Sequence, residues 1–203
     1  MSVLHQDKKL TGPDTDPILK MQGVPWVVRK AIGIATVYLD YSVYTSECSE
    51  SPGSVLNIDI HQTATAGLAG TSESRRLDWN IQTHSDYIFG VLSSQSRLID
   101  GAADSEGTVR PDVEVQTKVD DDKVVAFLKG KILPDGTPSI GFVAEGSGVG
   151  GWVHTFASNQ KAGWTAEQVW GFEMIDGLCC HTRRCVVADS KGAYRMARLV
   201  YTR

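Results

Sequence analysis

The run GWTAEQVWGFEMIDGLCCHTRRCVVADSKGAYRMARLVYTR, residues 163–203, decides the fold. It contains three strand-like stretches, Trp164 to Ile175, Leu178 to Asp189 and Ala193 to Thr202, rich in Val, Thr, Trp and Tyr. Two turn signals separate them. Asp176-Gly177 is a two-residue hairpin signal, because both central positions of a type I′ turn need positive φ. Ser190-Lys191-Gly192 fits a type I turn closed by a glycine bulge. Strands joined this tightly are antiparallel neighbours, so the C-terminal third reads as a meander.

Tight turns also fix register. With Ile175 opposite Leu178, the pairs run back as Met174–Cys179, Phe172–His181, Trp170–Arg183 and Gln168–Cys185. With Asp189 opposite Ala193, they continue as Cys185–Ala197, Arg183–Leu199 and His181–Tyr201. Paired residues share a face. One face therefore holds Gln168, Trp170, Phe172, His181, Arg183, Leu199 and Tyr201, and reads as interior. The other carries Glu167, Glu173, Thr182 and Arg184, and reads as water-facing. A buried arginine needs a carboxylate, a polar ligand or water. Arg, His, Tyr and Gln beside Trp and Phe describe a ligand cavity of apolar walls and a few convergent polar groups. The alternative is a barrel rim, where those groups reach solvent.

The remaining chain fits the same architecture. Trp152 to Ser158 is a fourth strand, joined through the Asn-Gln-Lys-Ala-Gly connection. Thr36 to Tyr44 is β-rich, and Ser51-Pro52-Gly53 signals a turn. From Val55 to Thr65, Leu56, Ile58 and Ile60 alternate with Asn57, Asp59 and His61. Further strands are expected around 71–81 and 86–92. Residues 100–112 read as a polar loop, and Val124 to Leu128 as a strand or a short helix. Residues 14–35 predict two short helices: Asp16 and Pro17 start the first, Gly23 and Pro25 interrupt, and Trp26 to Ile34 resume helical spacing. The expectation is one all-β domain over residues 1–203, an antiparallel barrel of about 8–10 strands with short N-terminal helices.

Charge and composition narrow the function classes. A formal charge of −4 argues against nucleic acid or an anionic membrane as a partner. The start, MSVLHQDKKL, has no apolar stretch of signal-peptide length, and no run of about 18 apolar residues predicts a membrane span. Of Cys48, Cys179, Cys180 and Cys185, three crowd one segment, a poor disulfide framework. Reduced thiols and a cytoplasmic setting are expected.

Other constellations weigh less. Cys179, His181 and Cys185 share a strand face without a CxxC pair, so no metal site is expected, and nothing activates a Cys–His nucleophile. Asp59 and His61 read as a solvated outer face, and Asp78 and Asp86 as turn caps. The glycine-rich Gly146 to Gly151 lacks the lysine and helix of a phosphate loop. His154 lies between Trp152 and Phe156 at period two, which makes it an inward candidate.

Three strings carry a family resemblance: DPILKMQGVPWVVRKAIGIATVYL near the start, SRRLDWN with HSDYIFG in the middle, and GWTAEQVWGFEMIDG with ARLVYTR at the end. Together they resemble small fungal proteins with a lipocalin-like (calycin-type) barrel, often encoded beside secondary-metabolite pathways. The resemblance covers most of the chain and is weakest over residues 1–12 and 100–150. Relatives open with a Trp-containing strand where this chain has Val3, Leu4 and His5. The resemblance implies a fold and a metabolic setting. It transfers no catalytic residue. Some lipocalin-like fungal proteins act as cofactor-free cyclases, including Diels–Alder catalysts. Two short helices ahead of a barrel also resemble fatty-acid-binding proteins, where they cover the mouth. Trp26, on the second such helix, joins the candidate ligand contacts.

Two functions follow as expectations. The first is a cofactor-independent cyclase or isomerase acting on a small hydrophobic intermediate of fungal secondary metabolism. Arg183, Tyr201, His181 and Gln168 would hydrogen-bond a carbonyl as charge develops, while Trp170, Phe172, Leu199, His154 and Trp26 contact the substrate. The second is a carrier for a hydrophobic acid, with Arg183 and Tyr201 clamping a carboxylate. Neither needs a cofactor, and a homodimer is left open.

Overall fold

The computed structural model describes residues 3–11, 15–47, 53–65, 70–144 and 151–203. Cys48, most of the turn at 51–53 and the glycine-rich 146–150 lie outside the described residues. The strands are β1 (Leu4–Gln6), β2 (Val37–Glu47), β3 (Ser54–Ala64), β4 (Thr71–Arg76), β5 (Gln82–Asp86), β6 (Gly90–Ile99), β7 (Gly101–Ala103), β8 (Val109–Pro111), β9 (Trp152–Asn159), β10 (Trp164–Ile175), β11 (Leu178–Asp189) and β12 (Tyr194–Thr202). The helices are α1 (Asp16–Met21), α2 (Trp26–Ile34) and α3 (Asp122–Leu128).

Ten strands form one antiparallel sheet in the order β4-β3-β2-β1-β12-β11-β10-β9-β6-β5. The sheet curls into a nearly closed barrel. Its seam is bridged where Trp79 N–H donates to Ser96 O at 2.9 Å and Asp78 pairs with Arg97. The first strand does form: β1 joins β2 to β12, with Leu4 opposite Leu39 and His5 opposite Thr202.

The C-terminal register is as the turns dictate. Asp176 and Gly177 have φ of 50° and 79°, the type I′ signature, and Ile175 faces Leu178. Trp170 pairs with Arg183 and Phe172 with His181. Arg183 pairs with Leu199 and His181 with Tyr201. Asp189 Oδ1 accepts from Lys191 N–H and Ala193 N–H, which holds the second turn. Asp86 and Asp78 cap turns in the same way, accepting from Ile88, Phe89 and Asn80.

Elsewhere the boundaries shift. The middle strands are β4, β5 and β6, with the turn at 87–89 rather than a strand starting at 86. Residues 100–112 contain a short hairpin, β7–β8, instead of an open loop. Val124 to Leu128 is helical: Asp121 Oδ1 accepts from Lys123 N–H at the N-cap, and Val124, Phe127 and Leu128 are buried.

The expectation of a water-facing outer face on β10–β11 is overturned. Glu167, Thr182 and Arg184 are fully buried and Glu173 is 2 % exposed. α3 and the segment leading to Phe142 pack over β9–β11 as a second layer, with Ile99, Val113, Phe127, Trp152, Val169 and Val186 in one core. The layers touch so closely that a Cβ on Gly171 would stand 2.6 Å from the Trp152 ring and 2.8 Å from that of Phe142. The barrel interior holds two further clusters. One, around Leu39, Ile60, Trp170 and Tyr201, fills its middle. The other, around Trp164, Cys185 and Ala197, is closed by Ile18 of α1.

No helix among the described residues is long and apolar enough to cross a membrane.

Candidate functional site

β10, β11 and β12 place Trp170, Arg183 and Tyr201 on the concave face, and β2 brings Tyr41 from across the barrel. Arg183 is 8 % exposed. Its Nη2 donates to Tyr41 Oη at 2.6 Å, and its Nε has no partner among the described residues. The guanidinium lies 4.0 Å from the Trp170 ring centroid and 5.6 Å from that of Tyr201. Such faces stabilise a cation partly stripped of water. Gln168 Oε1 accepts from Trp170 Nε1 at 2.8 Å and fixes the indole that Arg183 rests on.

A second buried arginine approaches the same indole. Arg75 of β4 sits 5.2 Å from the Trp170 ring centroid, donates to Ser96 Oγ at 3.1 Å and pairs with Glu73. Burial and the nearby Arg183 charge both depress its pKa, while Glu73 opposes them.

This belt divides the interior. On one side lies a hollow of about 700 Å³ walled by Leu4, Val43, Ile58, Val153, Trp170, Phe172 and His181. On the other lies one of about 250 Å³ under α1 and α2, reached by Arg183, Gln168, Leu199, Leu19 and Ile32. Tyr201 borders both. The larger matches the size and lining of small-molecule pockets.

Burial sets the protonation of three groups facing the hollows, His181, Tyr201 and Cys185. Burial, aided by Arg183, pushes the His181 pKa down to about 3, so its imidazole is uncharged at neutral pH. The ring sits among Tyr41, Phe172 and Tyr201 at centroid distances of 5.4, 5.6 and 5.8 Å. Burial pushes the Tyr201 phenol up to about 12, leaving an O–H able to donate. Burial also lifts the Cys185 thiol to about 12, which makes it a poor nucleophile.

The structure thus brings Arg183, Tyr201, His181, Gln168, Trp170, Phe172 and Leu199 to the two hollows, with Phe172 half-exposed at the rim. Two expected contacts are not brought there. Trp26 is 62 % exposed, and Ile32 is the α2 residue that reaches the smaller hollow. His154 pairs with Val169 and therefore points into the outer layer. Its Nδ1 accepts from Arg97 Nε at 3.3 Å, and its Nε2–H donates to Glu167 Oε1 at 2.8 Å. Burial raises the Glu167 pKa, but hydrogen bonds from His154, Thr117 and Gln116 outweigh it and hold the carboxyl below its usual range.

Sequence reasoning missed Tyr41, Arg75 and Glu73, which arrive on strands without a tight turn to β11. A signal for Tyr41 was available in the alternation Val37, Leu39, Tyr41, Val43. No His, Cys, Asp or Glu cluster among the described residues could hold a metal ion.

No family model matches the chain. It is 26% identical over 188 residues to a protein named probable pericyclase scpY, from Mollisia scopiformis; the match spans 93% of this chain and 81% of that protein.

Proposed function

We propose that the chain is a cofactor-independent cyclase or isomerase of the pericyclase kind, acting on a small hydrophobic intermediate of fungal secondary metabolism held in the barrel. The observation that carries this reading is Arg183: a buried guanidinium without a carboxylate partner among the described residues, lining the hollow of about 250 Å³ and packed on Trp170 and Tyr201, which wall the apolar hollow of about 700 Å³. The similarity to a probable pericyclase supports it.

The chemistry asked of the protein is small. Trp170 and Phe172 hold a flexible substrate in a shape close to the transition state, where orientation alone is worth up to about 7 kcal/mol or more. Arg183 and the Tyr201 hydroxyl donate to a carbonyl whose oxygen gains charge as bonds reorganise, Arg183 contributing about 3 kcal/mol and the neutral hydroxyl less. His181 serves as a neutral polar wall. Gln168 acts as a positioning residue through Trp170.

The test is incubation with linear candidate intermediates and separation of products of unchanged mass. A ring-closed isomer formed faster than in buffer, and slowed by Arg183→Met and Tyr201→Phe, supports the proposal. Tight binding with no conversion of any candidate would replace it with the carrier reading.

A further inference from the structure

The charge balance of the barrel interior points to the chemical class of the ligand. Two guanidinium groups, Arg75 and Arg183, lie against one indole. The carboxylate beside them, Glu73, pairs with Arg75. Arg183 makes its one hydrogen bond among the described residues to the hydroxyl of Tyr41, not to a carboxylate, and Nε of each arginine is buried without a partner. His181 and Tyr201 add no compensating charge, since burial keeps the first unprotonated and the second protonated. The centre of the barrel therefore carries uncompensated positive charge where water is scarce.

Buried charge is retained when something pairs with it. Within the same strand, Arg184 shows what a purely structural arginine looks like here: Nε and both terminal nitrogens donate, to Glu173, Phe127 O, Ile132 O and Ser139 Oγ. Arg183 has no such set, and it lines a hollow instead.

We infer that the natural ligand is an ionised acid, a carboxylate or the enolate of an acidic carbonyl compound, whose oxyanion seats on Arg183 beside Tyr201 while its hydrocarbon part lies in the hollow that Arg183 lines. The inference rests on the ligand-cavity reading above and holds whether or not the ligand is converted. It also assigns Arg75 a share in recognition, since its charge reinforces that of Arg183 at the shared Trp170 face. A neutral carbonyl accepts the same hydrogen bonds but leaves the excess charge in place, so it binds less well.

The probes are decanoate and its uncharged isostere decanamide, titrated at neutral pH against the intrinsic fluorescence of the intact protein. Trp170, against the guanidinium, is the expected reporter. Decanoate is expected to bind about tenfold tighter than decanamide or better, as charge-assisted bonds to a shielded arginine imply. Arg183→Met should bring the two within about twofold, whereas Arg195→Met, an exposed arginine on β12, should leave the ratio unchanged. Equal or weaker binding of decanoate by the native protein overturns the inference, and needs no variant to fold. A preference that survives in a folded Arg183→Met protein overturns it as well. If neither probe binds, the ligand-cavity reading itself fails, and the inference falls with it.

Discussion

Arg183 and Arg184 are neighbours in sequence and opposites in environment. Arg184 points into the outer layer, fully buried, with Glu173, two carbonyls and a serine as partners. Thr182 and Arg198 complete the cluster around Glu173. Arg183 points into the barrel, nearly as buried, with one phenol. The comparison separates two uses of a buried cation. One is consumed in joining α3 and its flanking loops to the sheet. The other is left with donors to spare beside a hollow. Burial and charge alone mark both equally; the state of the hydrogen bonds tells them apart.

The largest effect should come from breaking the satisfied side. Arg184→Met removes the fully buried arginine partner of Glu173, leaving it Thr182 and Arg198, and empties three further acceptors, and should lower the unfolding free energy by about 3–5 kcal/mol in urea titration. A loss under about 1 kcal/mol would mean that the outer layer does not depend on this cluster.

On the cavity side, the effect should fall on turnover. Arg183→Met should reduce product formation by about a hundredfold or more, the usual result of deleting a donor to a developing oxyanion. Tyr201→Phe should lose less, because it keeps the ring and removes one neutral donor.

Proton binding sharpens the contrast. The His181 pKa is about 3 in the folded protein against an ordinary 6.5. The unfolded chain therefore takes the proton first, so stability is full above about pH 6.5 and falls as pH drops towards 3. Between about pH 6.5 and 5 the native protein should lose up to about 2 kcal/mol, at roughly 1.4 kcal/mol per pH unit. Carboxylates contribute little in that window, because they titrate below it. His181→Phe should flatten this slope, as measured by urea titration at both pH values. An unchanged slope would place the imidazole in water rather than beside Arg183.

The smallest effect is expected at Trp26. Exposed and away from both hollows, Trp26→Ser should change stability by less than about 0.5 kcal/mol and leave ligand binding unaltered. A clear loss of affinity would restore α2 as part of the ligand contact.

The same comparison explains what could be read in advance. The inner face was legible because two short turns fix which residues pair, and pairing fixes which share a face. Nothing local told that the outer face would be covered. Glu167, Glu173, Thr182 and Arg184 look solvated until residues 113–142 cover them, and the partners that segment brings to Glu167 and Arg184 lie about 45 to 57 positions away in sequence. Val169, Val186 and a mid-strand Gly171 on that face were the available hints. His154 was misplaced for the same reason, since flanking aromatics mark a buried face without saying which layer buries it. Tyr41 and Arg75 needed the closure of the barrel, which no turn specifies.

The account stands on Arg183 being idle in folding and engaged in binding. Its most direct test is the unfolding free energy of Arg183→Met, without ligand, in urea titration. The account predicts a change within about 1 kcal/mol of the native protein, or a gain, because an unpaired buried charge is replaced by an apolar chain of similar reach. A loss of about 3–5 kcal/mol, matching that expected for Arg184→Met, would make Arg183 a structural residue and contradict it.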